Sequence, residues 1–134
     1  MTAADTSVAV AAFASWHEAH VRARAALRDG AVLVAHCALE TYSVLTRLPP
    51  PHRAPAPLVQ SFLEAQFASP HLVLPAREQR RLTGRLVELG IEGGAVYDAL
   101  VALTAASAGA ALVSCDVRAS QVYERCGVAV RLVG

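Results

Sequence analysis

Apolar residues in this chain fall into two alternating patterns. Short continuous runs, too brief for helices, are separated by longer stretches in which apolar side chains recur every three or four positions. The runs predict strands at Thr2–Asp5, Ala31–Ala35, Leu72–Leu74, Ala111–Ser114 and Val128–Leu132. The periodic stretches predict helices. Asp5-Thr6-Ser7 caps the first, which begins at Val8 and runs to Phe13. Trp16–Arg28 is amphipathic: Trp16, Ala19, Ala23, Ala26 and Leu27 make its apolar side, and Glu18, Arg22, Arg24 and Arg28 face water. Further helices are predicted at His36–Leu48, Leu58–Phe67, Ala76–Leu89, Gly93–Ala108 and Ser120–Cys126. The punctuation agrees: Asp29-Gly30 and Gly90 stop helices, Pro75 opens one, and Pro49–Pro57 is a stiff loop. Strands that alternate with helices and are themselves continuously apolar imply an α/β fold whose mainly parallel sheet is covered on both faces.

Composition narrows this picture. The 134 residues are 54% hydrophobic and 17% charged, enough for one domain, residues 1–134, with a real core and no disulfide staples. Pro49–Pro57 is too short to divide it. Net charge is +1, so no basic field announces a nucleic-acid partner, although a local Arg patch can suffice. All 12 basic residues are Arg, which excludes any mechanism that needs a catalytic Lys. Cys37, Cys115 and Cys126 are scattered and lack C-x-x-C spacing, as expected of reduced, buried thiols in a cytoplasmic protein. The start M-T-A-A-D lacks the basic region of a signal peptide, and no apolar run is long enough to span a bilayer. His17 and His20 do not form the H-E-x-x-H pattern of a zinc site.

Charge placement then separates the 11 acids into two groups. Seven lie among Arg or polar neighbours, as Glu18 does with Arg22, Glu78 with Arg81, and Glu88 with Arg85, and belong on solvated faces. The other four stand alone. Asp5 and Asp116 end strands; Glu40 is the single charge between Ala31 and Thr46, and Asp98 the single charge between Gly93 and Cys115. An unpaired carboxylate in an apolar setting is costly. In a parallel sheet, ligands bind beyond the C-terminal strand ends, where strand order reverses. Four acids gathered there would repel one another unless hard divalent cations relieved them. Carboxylate oxygens without His or Cys suit Mg²⁺ or Mn²⁺. The chemistry that follows is hydrolysis of a phosphodiester, with metal activating water.

Four segments, in order along nearly the whole chain, give this pattern a family. Asp5-Thr6-Ser7-Val8, Leu39–Pro49 (L-E-T-Y-S-V-L-T-R-L-P), Gly93-Gly94 with Tyr97–Ala102 (Y-D-A-L-V-A), and Leu112–Asp116 (L-V-S-C-D) followed by Tyr123 and Gly127-Val128 resemble the motifs of PIN-domain ribonucleases, specifically the VapC toxins of VapBC toxin–antitoxin pairs. The resemblance implies a three-layer α/β/α sandwich around a sheet of four to five strands. It implies that Asp5, Glu40, Asp98 and Asp116 bind Mg²⁺ or Mn²⁺ in catalysis, that Ser114 positions water or a ligand, and that Ser7 supports the loop at Asp5. It further implies an endoribonuclease toxin that cuts structured RNA such as tRNA or rRNA, a homodimer, and inhibition by a VapB-like antitoxin. Ser7 and Arg118 are the residues expected beside the substrate, Arg118 near the scissile phosphate. Cys115 departs from the family pattern, which often has Arg or Asn just before the last acid. A competing expectation is a catalytically weak module of the same shape that acts by occluding RNA or a protein. Receiver domains and haloacid-dehalogenase-type phosphatases are excluded, since both need a Lys.

Overall fold

The computed structural model describes residues 1–134. Four strands form one sheet: β1 (Thr2–Ala4), β2 (Val32–Leu33), β3 (Ala111–Ser114) and β4 (Val130–Leu132), in the spatial order β2-β1-β3-β4 and parallel throughout. Eight helices connect and cover them: α1 (Thr6–Phe13), α2 (His20–Leu27), α3 (Ala35–Arg47), α4 (Ala56–Gln66), α5 (Ala76–Arg80), α6 (Leu82–Leu89), α7 (Ala95–Ser107) and α8 (Val117–Arg125). This is the α/β/α arrangement expected of buried strands that cannot leave either apolar face in water. The chain leaves β1 toward β2 on one side and returns to place β3 on the other. Strand order therefore reverses between β1 and β3, opening a crevice beyond their C-terminal ends.

One cluster of 28 buried residues makes the core, including Ala3, Ala4, Val8, Leu33, Ala99, Leu112, Val113 and Tyr123. Many of these are Ala, which lets α1 and α7 approach the sheet closely. A second cluster, Leu45, Ala54 and Val59, joins α3 to α4, where Phe13 and Phe62 also meet edge to face at 5.3 Å.

Several expected boundaries move, each for a visible reason. The fifth strand, Leu72–Leu74, shrinks to a single bridge between Val34 and Leu72, because Pro70 has no N–H to donate before it and the partner chain turns into α3 at Ala35 just after it. The helix expected from Trp16 starts only at His20. Before it, Ala19 N–H bonds to His17 Nδ1 at 3.0 Å, His20 Nδ1 lies 2.8 Å from the Ala11 carbonyl, and Trp16 packs against His52 with ring planes tilted by 34° and centroids 4.2 Å apart. The helix expected over Ala76–Leu89 breaks at Arg81 (φ −92°, ψ 0°), which turns Leu82 and Leu86 to the core while α5 buries nothing. The last helix begins at Val117 rather than Ser120, because Asp116 caps it. No helix is long and apolar enough to cross a membrane.

Candidate functional site

Asp5 follows β1 directly and Asp116 follows β3 after one residue, so the strands deliver both to the crevice. Each also caps a helix. Asp5 Oδ1 accepts the Val8 N–H at 3.2 Å at the start of α1, and Asp116 Oδ1 accepts the Ala119 N–H at 3.0 Å at the start of α8. Asp98 sits in the first turn of α7, and Glu40 lies on α3. Helix N-termini favour negative charge, and three of them, α1, α7 and α8, meet here. Gly93 takes the left-handed backbone (φ 65°) that turns the chain into α7. Gly94 is ordinary helical backbone (φ −63°), and open space surrounds where its Cβ would be.

All four isolated acids line one cavity of about 190 Å³, together with Thr6, Ser7, Tyr97, Arg118 and Tyr123. Their environments differ. Asp5 is buried, at 2% exposure, whereas the side chains of Asp98, Asp116 and Glu40 are 18%, 38% and 44% exposed. The expectation of costly burial thus applies to Asp5 alone, and Asp5 is not unpaired. Its Oδ1 also accepts Ser7 Oγ at 2.6 Å, and its Oδ2 accepts Ser114 Oγ at 2.6 Å and Tyr123 Oη at 2.8 Å. The direction of these bonds is fixed. Ser7 Oγ accepts the Cys115 N–H at 2.8 Å and Ser114 Oγ accepts the Asp116 N–H at 3.0 Å, so each hydroxyl has its own hydrogen left for Asp5. Burial pushes the Asp5 pKa up, and the donors from Ser114, Ser7, Tyr123 and Val8 pull it part of the way back. Burial and the neighbouring Asp5 likewise push the Tyr123 phenol upward, so it stays a donor.

Arg118 spans the mouth. Its Nη1 lies 2.9 Å from Asp98 Oδ2 and its Nη2 3.6 Å from Asp116 Oδ2, while the side chain stays 67% exposed. Asp98 first, and then Asp116, hold the guanidinium still more firmly protonated. Glu40 Oε2 is 3.7 Å from His36 Nε2, beyond hydrogen-bond length; that nitrogen and Thr6 Oγ1 are buried without a hydrogen-bond partner.

The residues expected from the sequence therefore meet in space, but Ser114 lies behind the cavity wall, and Ser7, although it lines the cavity, turns its hydroxyl inward. Ser114 is fully buried, and Ser7 spends its hydroxyl on Asp5 and Cys115; both hold Asp5 and the β3 end in register. Tyr97 and Tyr123 fall within the segments that carry the family resemblance but have no role assigned by it, and His36 carries no sequence signal beyond its four-residue spacing from Glu40. Cys115 is half-buried and donates its N–H to Ser7, which any residue but Pro could do there. Arg77 and Arg80 on α5, Arg81 at the break and Arg85 on α6 are exposed and do not line this cavity. A larger groove of about 720 Å³ between α3 and α4 is lined by Tyr42, Leu63 and Phe67 with Glu64 as its one acid, so it lacks the carboxylate set.

The donors suit a hard divalent cation: carboxylate oxygens from four elements around one concavity. Asp5 has all four of its acceptor positions filled, so the oxygens free to turn toward an ion belong to Glu40, Asp98 and Asp116. With Arg118 lodged between Asp98 and Asp116, no three acidic, His or Cys side chains stand close enough to hold an ion without rearrangement. The guanidinium supplies the positive charge the acids require and would have to yield its place.

Comparison with known proteins gives a consistent result. The PIN domain family model matches residues 3–125. Ribonuclease VapC40 of Mycobacterium tuberculosis (strain ATCC 25618 / H37Rv) is 53% identical over 133 residues, 99% of each chain, as is its counterpart in strain CDC 1551 / Oshkosh. Ribonuclease VapC27 of the former strain is 45% identical over 130 residues, covering 96% of this chain and 93% of the relative. No solved structure matches the chain at a significant level.

Proposed function

The chain belongs to the PIN-domain family, among the VapC ribonucleases, and on that premise we propose that it is the toxin of a type II toxin–antitoxin pair, a Mg²⁺- or Mn²⁺-dependent endoribonuclease. The observation that carries this reading is the convergence of Asp5, Glu40, Asp98 and Asp116, from four separate elements, on one cavity beside the strand-order switch. Glu40, Asp98 and Asp116 would hold the cation, and Asp5 would add its charge from the floor or join by giving up one hydrogen bond. When bound, the cation activates water and offsets charge on the phosphate and the leaving oxygen.

The chain's own residues do the rest. Ser7, Ser114 and Tyr123 fix the Asp5 carboxyl in one orientation, so no reorganisation is needed as charge develops. Arg118, once displaced from Asp98 and Asp116, remains at the mouth on a flexible stem, where a guanidinium meets a phosphate well. The substrate class we favour is structured RNA such as tRNA or rRNA. The partners that go with this reading are a VapB-like antitoxin and a second copy of the chain, and the setting is the cytoplasm. The whole of residues 1–134 acts as a single domain.

The test is to express the wild type and Asp98→Ala and sequence RNA 5′ ends. New ends in the wild type that vanish in Asp98→Ala, with the fold retained, are expected. Absence of any mutation-sensitive end would overturn cleavage, and growth inhibition that survives Asp98→Ala would favour occlusion of RNA by binding alone.

A further inference from the structure

The cavity is poorly suited to attract RNA by charge. Four carboxylates line it and one cation, Arg118, is already paired with two of them. Beside the divalent cation and Arg118, neutral contacts are the remaining source of affinity in the lining. Of the two aromatic side chains in the lining, Tyr123 is buried and bound to Asp5, which leaves Tyr97.

Tyr97 is 58% exposed, and it directly precedes Asp98 in the first turn of α7. One face of the ring rests on the His36 imidazole of α3, with centroids 5.8 Å apart and planes within 8° of parallel. An offset stack of this kind fixes the orientation of the phenol ring. The side chain lines the cavity and more than half of the residue is exposed to solvent. A rigid, backed aromatic plane one residue from an acid of the site is a surface that a flat heterocycle can extend.

We infer that Tyr97, held by His36, is a stacking platform for the nucleobase flanking the scissile phosphate, and so a substrate-positioning and specificity-determining residue. This rests on the ribonuclease reading above. Every base has a π face, so stacking would position the strand with little demand for a particular base, and its loss weakens binding by on the order of tenfold. A ring that orders the strand before reaction acts mainly on substrate affinity, so the effect belongs in KM rather than kcat.

The experiment is an abasic scan. Single-stranded oligoribonucleotides that the wild type cleaves in Mn²⁺ are prepared with each base removed in turn, and KM and kcat are measured for the wild type, Tyr97→Ala, Tyr97→Leu and Tyr97→Phe, all checked for fold by circular dichroism. In the wild type, one position should raise KM about tenfold when abasic, with kcat nearly unchanged. Tyr97→Ala and Tyr97→Leu should raise KM for the intact RNA by a similar factor and lose that position's discrimination, and Tyr97→Phe should keep it. Tyr97→Leu carries the test should the alanine variant misfold. Identical scans in the wild type and the Ala and Leu variants would overturn the platform while leaving the ribonuclease reading intact. Failure of the wild type to cut any RNA would overturn both. An unchanged scan together with weakened binding of a protein antitoxin would assign the ring to that partner instead.

Discussion

Replacing Ser114 by Ala removes one oxygen atom from the interior, and the structure says what that oxygen does. Ser114 is fully buried; it donates to Asp5 Oδ2 at 2.6 Å and accepts the Asp116 N–H at 3.0 Å. The methyl of Ala fills nearly the same volume, so no cavity forms. The cost is electrostatic: a hydrogen bond to a charged acceptor is worth about 1.5–3 kcal/mol, and the Asp5 carboxyl cannot recover it from water in its buried position. A loss of about 2–3 kcal/mol in a domain of this size corresponds to a fall in Tm of roughly 7–10 °C. Urea unfolding and thermal melts measure it directly. A double-mutant cycle sharpens the assignment, because in an Asp5→Asn background Ser114 faces no carboxylate. There the same substitution should cost less by about 1–2 kcal/mol, the coupling typical of residues in one hydrogen-bond network. A Ser114→Ala loss under about 0.5 kcal/mol, the range of an ordinary surface change, would refute the network. Equal costs in the two backgrounds would refute its focus on Asp5.

Two further outcomes follow from neighbouring groups. Arg118→Ala removes the cation lodged between Asp98 and Asp116; an exposed pair of this kind is worth up to about 1 kcal/mol, so Mn²⁺ affinity by calorimetry should rise up to about fivefold, and weaker binding would show that Arg118 does not compete with the metal. Burial, aided by Asp5 and Glu40, pushes the Cys37 thiol up to about 12 from 9.0. Its folded pKa is thus raised, so its contribution to stability is complete below pH 9 and lost as pH rises toward 12, with a slope of up to about 1.4 kcal/mol per pH unit. Cys37→Ala should flatten that alkaline decline in denaturant titrations, and native Cys37 should resist iodoacetamide at pH 8 until the protein unfolds; rapid native alkylation would contradict the burial.

Much of the fold was legible because strand burial leaves a simple record. Ala111–Ser114 is continuously apolar, carries β-branched and small residues, and forms β3 with the expected ends. Leu72–Leu74 carries the same record over three residues, yet it pairs at one point only. Hydrophobicity reports where a segment could be buried, whereas pairing needs donors and an extended partner: Pro70 offers no donor before Leu72, and the partner chain becomes helical at Ala35. The break at Arg81 left no such mark. Nothing in Ala76–Leu89 forbids a continuous helix, and the turn there comes from how Leu82 and Leu86 reach the core.

The site divides in the same way. Isolation of a charge within an apolar run is a local property, so Asp5, Glu40, Asp98 and Asp116 could be picked out by position alone. What those acids experience is a property of strand register. β1 and β3 pair with Ala4 opposite Val113, so the next residue on each strand brings Asp5 beside Ser114. A slip of one residue would reverse the faces that alternate along β3 and turn the Ser114 hydroxyl away from Asp5. The Tyr123 bond to Asp5 depends in addition on α8 starting at Val117 under the Asp116 cap, because that start sets which residue of the helix's second turn faces the strand ends. Had α8 begun at Ser120, Tyr123 would fall in its first turn and point elsewhere. One side chain therefore fixes several of these facts together: by capping α8 with Oδ1 and leaving Oδ2 to Arg118, Asp116 sets the helix phase that brings Tyr123 to Asp5 and presents its own second oxygen to the cavity. The cap and the proposed ligand are two uses of one carboxylate, so its structural role at the start of α8 does not compete with the function proposed for it.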